Sequence, residues 1–102
     1  MCDQSRAAIT TGAMAITERV PAIAGKRIYL CGYLILRASG GQDLEFEITS
    51  GTGTNCAVGK TTIIPRMDVP LNGITNRIAY AAGEKTAQSA AICLQTWGTG
   101  SV

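Results

Sequence analysis

The stretch KRIYLCGYLILR, residues 26–37, decides the fold. A strand sends alternate side chains to opposite faces. Read as one strand, it puts Ile28, Leu30, Leu34 and Leu36 on one face, and Tyr29, Cys31, Tyr33 and Ile35 on the other. A half-buried strand is apolar on one side and polar on the other; this one is apolar on both. It needs cover twice over. Either two sheets of the same chain sandwich it, or another subunit supplies one of the covers. The question moves from catalysis towards assembly.

Working outward, the chain reads as short strand-like runs between turn signals. Residues 7–11 and 13–20 form a broken first strand, with Ile9 and Met14 out of phase around Gly12; a glycine there suggests a bulge. Pro21 to Gly25 is a turn, and Ser39 to Asp43 is a turn of hairpin length after the 26–37 strand. LEFEITSG alternates strictly, with Leu44, Phe46 and Ile48 inward and Glu45, Glu47 and Thr49 outward. GTGTNCAVGKT is a flexible Gly/Thr-rich loop, TTIIP a strand stopped by Pro65, and MDVP another stopped by Pro70. After the Asn72-Gly73 turn, ITNRIAYAA and AAICLQTWGTG read as strands on either side of a polar loop, Gly83 to Ser89. Gly83 and the β-branched neighbours oppose a helix in the Ala-rich 79–91 segment. Seven or eight strands at a spacing of about 8–12 residues predict an all-β fold, a β-sandwich of jelly-roll type. Residues 1–20 have short side chains and no core of their own, and read as an extended N-terminal arm; residues 21–102 read as the body of a single domain.

Composition narrows the function. Charged residues make up 16% of the chain, against about 25% in an average globular domain, so much of the surface is expected in contacts. A net charge of +2, with Lys and Arg scattered, speaks against an electrostatic nucleic-acid binder. No apolar run reaches transmembrane length, and the first residues lack the basic start and Leu-rich centre of a secretory signal. The chain is expected to act as made, without Sec export. Histidine is absent, which removes the commonest general base and metal ligand.

The motifs that resemble chemistry dissolve on inspection. A phosphate-binding loop needs four residues between its first Gly and its Gly-Lys pair; here five separate Gly53 from Gly59, and a strand-like run follows. Cys2, Cys31, Cys56 and Cys93 show no CxxC spacing, which favours disulfides or buried thiols over a zinc site. Glu45 and Glu47 sit at the spacing of a strand's solvent face rather than as an acid–base pair. No catalytic set, cofactor site or metal site remains.

The whole-chain pattern carries a resemblance. Its landmarks are Cys2-Asp3, AGKRIYLCGYLI at 24–35, SGTGTNCAVGKT at 50–61 and AAICLQT at 90–96. In this order they resemble the small β-sandwich virion proteins of tailed bacteriophages, over nearly the full chain. The resemblance implies a capsid decoration (cement) protein, made in the host cytoplasm and placed on the virion surface, with the major capsid protein as partner and no nucleic acid, membrane or cofactor. Residues 63–78 depart from the pattern, being more charged and less Gly-rich, and are expected to carry contacts particular to this virion.

Three functional classes follow: a structural cement protein, a head-fibre or tail-associated receptor- or carbohydrate-binding domain, and a small glycan hydrolase. The absent histidine disfavours the last. For the first, a homotrimer is expected at local threefold sites, with Ile9, Met14, Ile16, Tyr29, Tyr33, Ile35 and Trp97 at the interface. A hairpin turn near Gly41 would bring residue 31 opposite about residue 51. That makes Cys31–Cys56 the expected disulfide, with Cys2 and Cys93 free or paired with each other.

Overall fold

The computed structural model describes residues 16–37, 44–70, 74–77 and 84–98. Its strongest strand, β4 (Leu44–Thr52), follows its own alternation: Leu44, Phe46 and Ile48 are buried, and Glu45 and Glu47 are partly exposed. β8 (Ala91–Gly98) pairs with one side of β4, and β5 (Val58–Asp68) with the other. β1 (Ile16–Val20) adds to the far side of β8, giving an antiparallel sheet in the order β1-β8-β4-β5. Directly opposed residues share a face. Phe46–Thr96, Ile48–Leu94 and Ser50–Ile92 therefore line the inner face, and Glu45–Trp97, Glu47–Gln95 and Thr49–Cys93 the outer one.

The edge strand β5 is irregular. Its register with β4 shifts between Phe46 and Ile48, between Ile48 and Thr49, and between Ser50 and Thr52. The first shift falls where Pro65 sits, so the proline does not end the strand as its position suggested. On an edge its missing N–H leaves no ladder bond unmade. The second falls at Ile63 and turns both Ile63 and Ile64 inward, where both are buried. The third contains Gly59, whose φ is 62°. Such bulges twist an edge and discourage uncontrolled strand addition.

The 26–37 segment is not one strand, and it is not hairpinned to β4. It breaks at Cys31 into β2 (Tyr29–Leu30) and β3 (Gly32–Ile35). β2 pairs with β7 (Glu84–Lys85), and β3 with β6 (Ile74–Arg77), each as a two-stranded antiparallel ribbon. The break inverts the alternation. Ile28 and Leu30 point to the core before it, and Tyr33 and Ile35 after it. These four pack on a cluster that includes Phe46, Ile48, Ile64 and Leu94 from the inner face of the sheet. The Tyr33 ring meets Phe46 edge-on, with centroids 5.7 Å apart, the arrangement that aromatic quadrupoles favour.

Hydrogen bonds pin the ribbon ends. Ile28 N–H donates to the buried Thr86 hydroxyl at 2.9 Å, and Thr86 N–H donates to the Ile28 carbonyl at 2.9 Å. The Pro21–Gly25 turn is clasped by the 86–90 segment: Gly25 N–H donates to Ser89 Oγ and Ser89 N–H to the Lys26 carbonyl, both at 2.8 Å. Arg37 donates to the Val69 carbonyl at 2.6 Å, joining the end of β3 to the end of β5.

The all-β expectation holds: the described residues are mostly strand, with no α-helix and a single 3-10 turn at Thr54–Cys56. Residues 16–20, the end of the segment read as arm and first strand, belong to the sheet as β1. Ile9, Met14, Cys2, the Gly12 irregularity and the turns around Gly41 and Asn72-Gly73 lie outside the described residues. Phe46 is fully buried at the junction of sheet and ribbons. Phe46→Ala is expected to destabilise the chain by about 4 kcal/mol, a large part of a small domain's stability, as measured by equilibrium denaturation.

Candidate interaction surfaces

The phase inversion at Cys31 decides what is left outside. Tyr29 before the break, and Leu34 and Leu36 after it, face away from the core and are 43%, 58% and 55% exposed. Isolated exposed apolar residues are ordinary; these three form a row on the outward side of the 26–37 segment. Lys85, opposite Tyr29 in the register, is exposed, as are Lys26 and Arg27. Arg27 also donates to the Thr86 carbonyl at 3.2 Å, which holds its guanidinium beside the ribbon. The row is therefore apolar with a basic border.

The outer face of the sheet is different. Arg66 makes an ion pair with Glu45 at 2.8 Å and lies 4.1 Å over the centre of the Trp97 ring. Thr62 donates to Glu47 at 2.9 Å, and Lys60 donates to the Gln95 side chain. These contacts lie at the surface, so each contributes little to stability, on the order of 0–1 kcal/mol. Together they hold the polar side chains in place across β4, β5 and β8. Lys60 lies within the strand β5 rather than at the start of a helix, so the Gly/Thr-rich segment has no phosphate-loop geometry.

That segment is not a loose loop. Gly53, Asn55 and Cys56 all have positive φ, at 75°, 52° and 58°, and the chain folds back onto the outer face at the end of β4. A methyl group at Gly51 would lie 2.8 Å from the Cys56 carbonyl oxygen and 2.9 Å from that of Val58. Only glycine admits so close an approach. Asn55 accepts a hydrogen bond from Glu18 N–H at 3.1 Å, fastening the turn to β1. Cys56 forms a disulfide with Cys93 on β8, and the pair packs with Ala91 and Ile16 as a second small core. Thr49, opposite Cys93 on the outward side, is fully buried as well.

The expected Cys31–Cys56 bridge is therefore wrong. It rested on a hairpin between residues 26–37 and β4, and those strands pair elsewhere. Cys31 belongs to a different disulfide, and Cys93 is not available to Cys2. Of the expected interface residues, Tyr33 and Ile35 pack in the chain's own core, and Ile16 packs against the disulfide. Tyr29 and Trp97 remain at the surface, Trp97 beneath Arg66. The structure brings Leu34 and Leu36 to the outside in place of Tyr33 and Ile35. The signal that could have found them is Gly32, since a glycine inside a strand pattern marks a break or bulge.

Among the described residues no group of three His, Cys, Asp or Glu could hold a metal ion, and no helix is long and apolar enough to cross a membrane. No protein-family model, curated protein or solved structure matches the chain.

The folded-back turn makes two linked expectations. Gly51→Ala should destabilise by about 2 kcal/mol through overpacking against backbone. Replacing Cys56 and Cys93 together by Ala should cost about 4 kcal/mol for a bridge spanning 37 residues. Thermal and denaturant melts of both variants check this, and non-reducing peptide mapping should recover the Cys56–Cys93 linkage.

Proposed function

We propose that this chain is a structural protein of a tailed-bacteriophage virion, a capsid decoration (cement) protein rather than an enzyme. Its body is a β-sandwich of jelly-roll type, and it binds the major capsid protein and sister subunits as a homotrimer on the head surface. The observation that carries the proposal is the outward apolar row of Tyr29, Leu34 and Leu36 on a cross-braced β body. A cement protein works by covering such surfaces across subunit boundaries. Each of these side chains, once covered, would contribute about 1 kcal/mol of burial. Low overall charge agrees with a chain that spends much of its surface in contacts.

The arm is the second element. Residues 1–15 include four Ala and two Thr, and an extended segment with short side chains adds to a neighbour's sheet edge through main-chain hydrogen bonds. The receptor- or carbohydrate-binding alternative would rest on Trp97. One face of that ring is taken by the Arg66 guanidinium, which leaves less of it for stacking on a sugar.

The test is co-purification with intact heads. The full chain should appear in fixed stoichiometry to the major capsid protein. A chain lacking residues 1–15 and carrying Cys31→Ser should melt with a full-length Cys31→Ser chain, since both lack the Cys31 disulfide, and should lose the attachment that the full-length variant keeps; heads lacking the protein should release DNA at a lower temperature. A chain absent from purified heads, or a truncated chain that decorates and protects them fully, overturns the proposal. Loss of host-cell adsorption on Trp97→Ala would then favour the fibre reading.

A further inference from the structure

The two exposed faces are complementary in charge as well as polarity. Lys26, Arg27 and Lys85 border the apolar row on the ribbon side. On the outer face of the sheet, Glu18 stands opposite Cys93, Glu47 opposite Gln95, and Glu45 opposite both Trp97 and Asp68. Lys60, bonded to Gln95, and Arg66, paired with Glu45, lie on the same face, so carboxylates outnumber cations there even with Arg19 of β1 counted. One side of the body is apolar and basic; the other is acidic and carries the Trp97 ring.

We propose that the ribbon face of one copy seats on the outer sheet face of a second copy of this chain. The contact is head-to-tail. Either face meeting its own copy would set like charges against each other: Lys26 and Lys85 in one case, Glu18, Glu47 and Asp68 in the other. Like-charge juxtaposition disfavours both symmetric pairings, and opposite charge favours the mixed one. Tyr29 and Leu34 of one copy then meet the Trp97–Arg66 pair of the next, a combination of aromatic and Arg side chains typical of interface centres. A head-to-tail contact forms a ring when its rotation closes. Closure at three copies rests on the virion reading; the pairing of the faces does not.

A charge swap on the purified full chain tests this by sedimentation velocity at micromolar concentration. Lys26→Glu with Lys85→Glu makes both faces acidic. Glu18→Lys with Asp68→Lys makes the sheet face basic. All four side chains are exposed, so the variants should melt with the parent. Each pair should weaken association by about tenfold or more, and the quadruple variant, with its faces exchanged in sign, should restore it. Raising the salt should weaken the parent ring. The proposal is overturned by a monomeric parent, by either double variant associating as the parent does, or by a folded quadruple variant that stays dissociated. Because no capsid enters the measurement, these outcomes stand apart from the result of head co-purification.

Discussion

The structure depends on one constraint: a strand apolar on both faces can bury only one of them in a chain this small. The fold meets it by breaking residues 26–37 at Cys31 and inverting the alternation there. Ile28 and Leu30 reach the core from one register, and Tyr33 and Ile35 from the other. An unbroken strand would have sent either Ile28 and Leu30 or Tyr33 and Ile35 outward. The break also lets each half take a different partner strand, so one sequence segment supplies two ribbons over a single sheet. What remains outside, Tyr29, Leu34 and Leu36, is the residue of that compromise.

A second device stiffens the opposite side. The Gly51–Ala57 segment folds back over the outer face, held by the Cys56–Cys93 disulfide and by Asn55 against β1. It connects β1, β4 and β8 at one end of the sheet. At the other end, the Glu45–Arg66–Trp97 cluster spans β4, β5 and β8. These ties brace both ends of the sheet.

Local patterns were legible in the sequence where one physical rule acted alone. The alternation of 44–49, the turn at 21–25 and the last strand all stand as the residues imply. Long-range pairing was not legible. A turn of hairpin length after residue 37 suggested that β3 and β4 are partners, but β3 pairs with β6 and β4 with β5 and β8. The disulfide expectation failed with it, because a bridge follows strand order rather than separation along the chain. Pro65 misled for a related reason: a proline ends a central strand but is tolerated on an edge, and edge or centre is a property of the whole sheet. Of the expected contact residues after Cys31, Tyr33 and Ile35 turn to the core, and Leu34 and Leu36 stand exposed beside them.

The phase inversion itself is open to direct measurement by an aspartate scan. Single aspartates at 28, 29, 30, 33, 34, 35 and 36 would be compared by thermal denaturation. Inversion at Cys31 predicts large losses at Ile28, Leu30, Tyr33 and Ile35, and small ones at Tyr29, Leu34 and Leu36. Losses that alternate unbroken along the segment, with Leu34 and Leu36 as sensitive as Ile28 and Leu30 and with Tyr33 and Ile35 tolerant, would contradict it.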